Sequence, residues 1–162
     1  MFLRSYVVVA RPFEKVGAQM AKGAENWLPD VANDANGGGE KLLSELGFAL
    51  GKRRVGRRVK VEIGAPKASA GVIFMPIRWR AATEAGLFPT LEGDLEVAAI
   101  GNARTQLGLS ANYEPPLGVL GKIADRALLH RVAEVTVKDF LERIGARLES
   151  DRVAGGFLPT RT

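Results

Sequence analysis

The apolar positions near the end of the chain recur with helical spacing, from Val119 to Leu148. Pro115 and Pro116 end the extended segment before them, and about thirty residues without proline follow. At 1.5 Å per residue that length corresponds to a helix of roughly 45 Å, long for a chain of 162 residues. The pattern therefore predicts one long C-terminal helix.

Five earlier segments are rich in β-branched residues or alternate apolar and polar residues with a period of two, which predicts strands. They are Phe2–Ala10, Arg53–Ile63, Val72–Ala82, Leu91–Ile100 and Arg104–Tyr113. Pro76 cannot donate a hydrogen bond to a neighbouring strand, so it predicts an edge position or a bulge in its strand. Residues 65–71 are typical of a turn.

The N-terminal region predicts shorter helices. Pro12 suits the first turn of a helix that runs to Met20. Pro29 limits any helix around it, and the sequence NDANGGG (33–39) predicts a flexible connection before a short helix over residues 40–46. An antiparallel sheet covered on one face by a long helix gives an α+β fold, in which a curved sheet grips the helix.

Length and composition predict one domain over residues 1–150, followed by a flexible tail over 151–162. The chain is 46% hydrophobic and has no apolar run near the roughly 20 residues that span a bilayer, so we expect no stable membrane insertion. The first residues lack the features of a secretory signal, and we expect a cytoplasmic protein. With no cysteine and one histidine, the sequence predicts no metal site, and it indicates no cofactor.

The net charge of +5 raises the question of nucleic-acid binding, most sharply at Lys52–Lys60. In a strand, alternation places Arg54, Arg58 and Lys60 on one face with Gly56, and Val55, Val59, Val61 and Ile63 on the other. No aromatic residues are interleaved as a stacking platform would require, so we expect a solvated basic face and no nucleic-acid partner. Arg57 is the exception, because alternation places it among the inward valines.

The order of elements resembles the helix-grip fold of the START, Bet v 1 and polyketide cyclase (SRPBCC) superfamily. The stretch FLRSYVVVARPFEKVGAQM carries the likeness at the start, and residues 71–144, from GVIFMPIRWR to VKDFLERI, carry the rest. The sequence is similar to actinobacterial members of that superfamily over most of residues 1–148. The resemblance implies a cavity for a small hydrophobic molecule between sheet and helix, and it implies no universal catalytic motif.

Residues on the predicted inner face of the sheet are candidates to line such a cavity, or else to fill a packed core. They are Met75, Ile77, Trp79, Leu95, Val97, Leu107, Leu109 and Tyr113. Trp79 and Tyr113 stand out, since large rings with one polar atom often meet a partner or ligand when they are buried.

The long helix adds a polar patch at its start. Arg126, His130 and Glu134 are spaced four residues apart, beside Ala127, on the face that Val137 and Leu141 continue toward the C-terminus. In one interpretation Arg126 or His130 contacts a ligand and Glu134 holds the cation in place. In the other, the three residues form a solvated ladder of charge pairs.

Three functions follow from these patterns. The first is binding of a small hydrophobic or amphipathic molecule, lipid- or polyketide-like, with Arg57 and the helix patch as polar contacts. The second is a polyketide cyclase or aromatase with His130 as acid and base and Glu134 beside it. The third is an interaction protein without ligand, in which a second apolar helix edge, Leu128, Val132 and Val135, packs on the N-terminal helices or on a second subunit of a homodimer.

Overall fold

The computed structural model describes residues 1–45, 59–81, 90–114 and 126–154, and these ranges form an open antiparallel sheet with helices on one face. The elements are β1 (Phe2–Val9), α1 (Phe13–Ala21), α2 (Ala24–Glu45), β2 (Val59–Ile63), β3 (Lys67–Ser69), β4 (Val72–Ala81), β5 (Thr90–Ile100), β6 (Arg104–Glu114) and α3 (Arg126–Ala154). The α+β class and the long C-terminal helix are confirmed. The flexible tail was predicted to begin at residue 151, but α3 continues to Ala154.

The strands lie in the order β1-β6-β5-β4-β2, and β3 pairs with β4 beside β2. The prediction of a plain turn over residues 65–71 was wrong, because Lys67–Ser69 pair with Phe74, Ile73 and Val72 before the chain reverses. Ala70 and Gly71 make that reversal with positive φ angles of 50° and 77°.

Pro76 lies where the edge of the sheet is interrupted. Ile63 at the end of β2 pairs with Ile77, and Lys67 at the start of β3 pairs with Phe74, so no strand residue faces Pro76 on that side. The backbone N–H of Gly64 donates to the Pro76 carbonyl at 2.7 Å. The proline therefore occupies the gap between two short edge strands, where its missing donor costs no ladder hydrogen bond.

The predicted break around Pro29 and the flexible connection over 33–39 were wrong, because α2 runs through both. The side-chain amide of Asn33 donates to the Pro29 carbonyl at 2.8 Å within the helix. Leu28, Ala32 and Ala35 are fully buried on one face of α2, and this packing stabilises the helix against its unfavourable composition.

The core lies between the inner face of the sheet and α3. The predicted inward stripe of α3 is confirmed: Val137, Phe140, Leu141, Ile144 and Leu148 are fully buried. On one side α3 packs against α2, and on the other it packs against β1.

The C-terminal half of α3 is held to the N-terminal strand by polar contacts. The Arg11 guanidinium donates to the Leu148 carbonyl at 2.7 Å, and the Glu149 carboxylate accepts from the backbone N–H of Ala10 at 2.8 Å. Thr105 completes the junction by donating to the Arg11 carbonyl at 2.7 Å. None of the helices in the described ranges is long and apolar enough to cross a membrane.

Candidate functional site

Trp79 and Tyr113 lie in one cross-strand row on the inner face of the sheet. Trp79 on β4 pairs with Leu91 on β5, and Leu91 pairs with Tyr113 on β6. With strands about 4.8 Å apart, the two aromatic residues stand roughly 10 Å from each other. The row continues to Val61 on β2, so it runs across β2, β4, β5 and β6.

The indole of Trp79 is fully buried, and its Nε1–H has no hydrogen-bond partner among the described residues. Phe140 on α3 packs against the Trp79 ring edge to face, with 5.0 Å between centroids and 86° between planes. Buried donors without a partner are rare in native proteins because each forfeits its hydration. The indole N–H is therefore a place where an acceptor is missing.

The phenol of Tyr113 belongs to the same row, two strands away from Trp79. The residue is 4% exposed, and burial raises the pKa of its hydroxyl above the usual 10.0. Its backbone is fixed by reciprocal hydrogen bonds with Met1, at 2.8 and 2.9 Å. The side chain therefore stays protonated at neutral pH and can donate.

The other residues predicted to line a cavity are closely packed. Met75, Ile77, Leu95, Val97, Leu107 and Leu109 are each no more than 2% exposed and belong to the continuous core. They form an apolar surface next to the row that contains Trp79 and Tyr113. Arg57 lies outside the described residues.

The polar patch predicted at the start of α3 lies at the rim of the domain and not in its interior. Nε2 of His130 and Oε1 of Glu134 are 3.1 Å apart, and their side chains are 42% and 60% exposed. Ala127 is exposed as well, and Arg126 is the first residue of α3 in the described range. At this level of the helix the buried positions are Val132 and Ala133, so the polar face of this turn meets solvent.

Glu134 does reach a concave surface, a groove of about 350 Å³ between β1 and the first half of α3. It is lined by Leu3, Arg4, Ser5, Arg131, Glu134, Val135, Val137 and Lys138. Its floor meets the core at Leu3 and Val137, while charged side chains stand along its rim. We name this surface the β1–α3 groove.

Sequence reasoning missed the β1 side of this groove. One signal was present: the inward positions of β1 are Leu3, Ser5, Val7 and Val9, among which Ser5 is the single polar residue. A hydroxyl in an otherwise apolar inward series indicates a place where the strand is not sealed by the core.

Several basic residues of the outer sheet face pair with neighbouring carboxylates. Arg78 contacts Glu92 at 2.5 Å, and Glu62 contacts both Arg80 at 3.0 Å and Lys60 at 3.6 Å. This is the arrangement expected of a solvated charged face. Among the described residues, no cluster of histidine, aspartate and glutamate could hold a metal ion.

No protein-family model matches the chain, and a search of curated proteins gives no match. Solved structures do match. A conserved protein from Geobacillus kaustophilus aligns with a TM-score of 0.53 and 12% identity, covering 93% of this chain and 97% of that one. A START superfamily protein from Mycobacterium smegmatis aligns with a TM-score of 0.50 and 13% identity, covering 92% and 97%.

An aromatase/cyclase from Streptomyces sp. R1128 also aligns, with a TM-score of 0.47, 17% identity and coverage of 98% and 99%. The START superfamily match, over nearly the full length of both chains, confirms the helix-grip fold that the sequence resemblance predicted. At this level of identity the likeness concerns the fold.

Proposed function

We propose that the protein binds a small apolar or amphipathic molecule, lipid- or polyketide-like, between the sheet and the first half of α3. The observation that carries this proposal is the buried indole N–H of Trp79, which has no partner among the described residues and lies in the same cross-strand row as Tyr113. A bound molecule with acceptor oxygens would supply the missing partner.

The free-energy cost of an unpaired buried donor favours a site that a ligand completes. An unsatisfied buried polar group costs about 1–3 kcal/mol, and phenylalanine would fill most of the same space without that cost. A ligand that accepts from Trp79 Nε1–H removes the penalty while burying its own apolar surface.

The charge of the wall favours a neutral ligand. Among the described inward positions of the sheet, every residue is uncharged, from Leu3 on β1 to Val61 on β2. A carboxylate at this depth would be left without a cation, which costs far more than a buried hydroxyl or carbonyl. We therefore expect a carbonyl, ether or phenol oxygen and not a fatty-acid carboxylate at the Trp79 end.

The β1–α3 groove supports a route or an extension for such a molecule. Its volume of about 350 Å³ lies near the lower end of small-molecule sites, and its floor is apolar. Arg131, Glu134 and Lys138 at its rim would face the polar end of an amphipathic ligand.

The cyclase alternative rests on the His130–Glu134 pair, in which a carboxylate lies 3.1 Å from an imidazole nitrogen. Such a pair could move a proton at the rim of the site. If the protein is a cyclase, turnover of a polyketide-like substrate falls with His130→Ala, whereas binding persists.

Native mass spectrometry of freshly purified protein, compared with its denatured mass, tests the binding proposal. We expect an adduct in the native spectrum that is released on denaturation, and less of it in Trp79→Phe and Tyr113→Phe. The matched control is Trp27→Phe, which removes the other indole of the chain. A native mass equal to the denatured mass, with no uptake of neutral carbonyl-bearing lipids from an extract, would favour an interaction protein without ligand and contradict the proposal.

A further inference from the structure

The two edges of the sheet differ in a way that bears on assembly. On one edge, β2 and β3 are five and three residues long, are interrupted at residues 64–66, and carry Lys60 and Lys67. Short strands, breaks and lysines are the usual means by which an edge is protected from pairing. The edge at β1 has none of these: eight residues pair with β6 in one unbroken register.

The hydrogen-bonding groups of β1 that face away from β6 can be assigned from the register. Met1 and Tyr113 exchange backbone hydrogen bonds, so in the alternating antiparallel pattern the odd-numbered residues of β1 bond to β6. The N–H and C=O groups of Phe2, Arg4, Tyr6 and Val8 therefore point outward from the sheet. At the end of this edge, Ala10 N–H is taken by the Glu149 carboxylate.

Exposed apolar side chains are concentrated at the same edge. The large hydrophobic residues exposed in the described ranges are Met1, Phe2, Tyr6, Val8 and Val135. The first four belong to β1 or precede it directly, and Val135 lines the β1–α3 groove beside it. Solvent-exposed apolar side chains on an unprotected edge strand are typical of a surface that pairs with another strand.

We propose that β1 pairs with β1 of a second copy of this chain, giving a two-fold dimer with one continuous sheet. A two-fold axis makes the pairing antiparallel and places each residue opposite its counterpart across the axis. This inference is independent of the ligand proposal.

Two observations exclude the registers centred on Arg4, Tyr6 and Val7 and favour an axis at Ser5. Centring the pair on Arg4 would place Arg4 opposite Arg4, and like charges directly opposite are destabilising. Centring it on Tyr6 or Val7 would require the backbone N–H of Ala10 to pair with the second copy, but this N–H already donates to the Glu149 carboxylate.

With the axis at Ser5, the outward-facing residues form complementary pairs. Phe2 lies opposite Val8 of the second copy, and Arg4 lies opposite Tyr6 of the second copy. Aromatic–aliphatic and cation–aromatic neighbours stabilise antiparallel strands. Every outward backbone group from Phe2 to Val8 then finds a partner.

Disulfide trapping tests the register directly, because the chain contains no cysteine. Ser5 would form a non-hydrogen-bonded pair with Ser5 of the second copy, with Cα atoms about 4.5 Å apart, within the range that a disulfide spans. We expect Ser5→Cys to oxidise to a covalent dimer. The matched control is Val7→Cys on the same face, which lies opposite Leu3 of the second copy and should stay monomeric on a non-reducing gel. Equal cross-linking of both variants, or none of either, overturns the register.

Sedimentation velocity over a concentration series tests the dimer without a covalent bond. We expect wild type to dimerise, Tyr6→Lys to be monomeric because the lysine faces Arg4 of the second copy, and Tyr6→Glu to dimerise. Both variants remove the same exposed ring, and circular dichroism checks that both fold. A wild type that stays monomeric at every concentration, or a Tyr6→Lys variant that dimerises equally well, overturns the proposal. Dimerisation that is seen only after removal of residues 155–162 would also overturn the proposal, because that segment would then be what binds β1.

Discussion

Phe140 on α3 meets Trp79 on β4 edge to face, with 5.0 Å between ring centroids, and this contact joins the gripped helix to the sheet. Both residues are fully buried. The contact fixes the plane of the indole and so the direction of its N–H. The same pair that stabilises the fold therefore positions the donor on which the proposed binding depends.

Truncation of Phe140 should be severely destabilising. We expect Phe140→Ala to lower the free energy of unfolding by about 3–5 kcal/mol, because it removes a buried ring and leaves a cavity. Phe140→Leu should cost less, since it keeps most of the apolar volume and loses the edge-to-face contact. Urea denaturation measures both. An alanine variant that loses less than about 1 kcal/mol would contradict the packing described for this contact.

Two glycines should respond to alanine in opposite directions. A Cβ at Gly93 would overlap the carbonyl oxygen of Ser110 and approach Ala111 Cα to 2.5 Å, so β5 and β6 would have to separate. We expect Gly93→Ala to cost about 1–3 kcal/mol or more. A Cβ at Gly145 would lie 3.7 Å from methyl groups of Val7 and Val9, which is ordinary contact.

Gly145→Ala should therefore raise the free energy of unfolding by up to about 1 kcal/mol through helix propensity. Thermal melts of the two variants beside wild type check both predictions. Destabilisation by Gly145→Ala would show that α3 packs on β1 more tightly than the described distances allow.

The buried phenol of Tyr113 should make stability depend on pH in the alkaline range. Its pKa is raised in the folded state, so the unfolded chain releases this proton first as pH increases. The contribution is fully present below about pH 10 and is lost as the pH rises above that value. The slope for one group is at most about 1.4 kcal/mol per pH unit.

Tyr113→Phe should flatten this part of the profile, whereas Tyr6→Phe, at a residue that is 65% exposed, should leave it as in wild type. Denaturation midpoints between pH 8 and 11 make the comparison. Identical profiles for wild type and Tyr113→Phe would contradict the burial of this hydroxyl.

The strand pattern of the sequence was sufficient to predict the inner face of the sheet. Trp79, Leu95, Leu107 and Tyr113 lie inward as alternation required, because a period of two leaves a buried face little freedom. The length of α2 could not be predicted, since Leu28 and its buried neighbours outweigh the local signals of Pro29 and the glycines.

The position of His130 shows a different limit. Its angle around α3 matches that of Val137, yet its side chain is 42% exposed. A helical wheel gives the direction of a side chain but not where along its length a helix leaves the sheet. The β1–α3 groove was not predicted for the same reason, because it depends on the separation of two elements. Ser5 was the one sign of it in the sequence.

The most direct test of the binding proposal is the indole N–H resonance of Trp79 in protein labelled with ¹⁵N at its two tryptophans. Spectra are compared as purified and after the bound molecule is extracted and the chain refolded, with Trp27, which faces Arg147, as internal reference. We predict that the Trp79 indole proton moves upfield on extraction, because it loses its acceptor, while the Trp27 signal stays in place. An unchanged Trp79 signal, with no molecule released into the extract, would contradict the account.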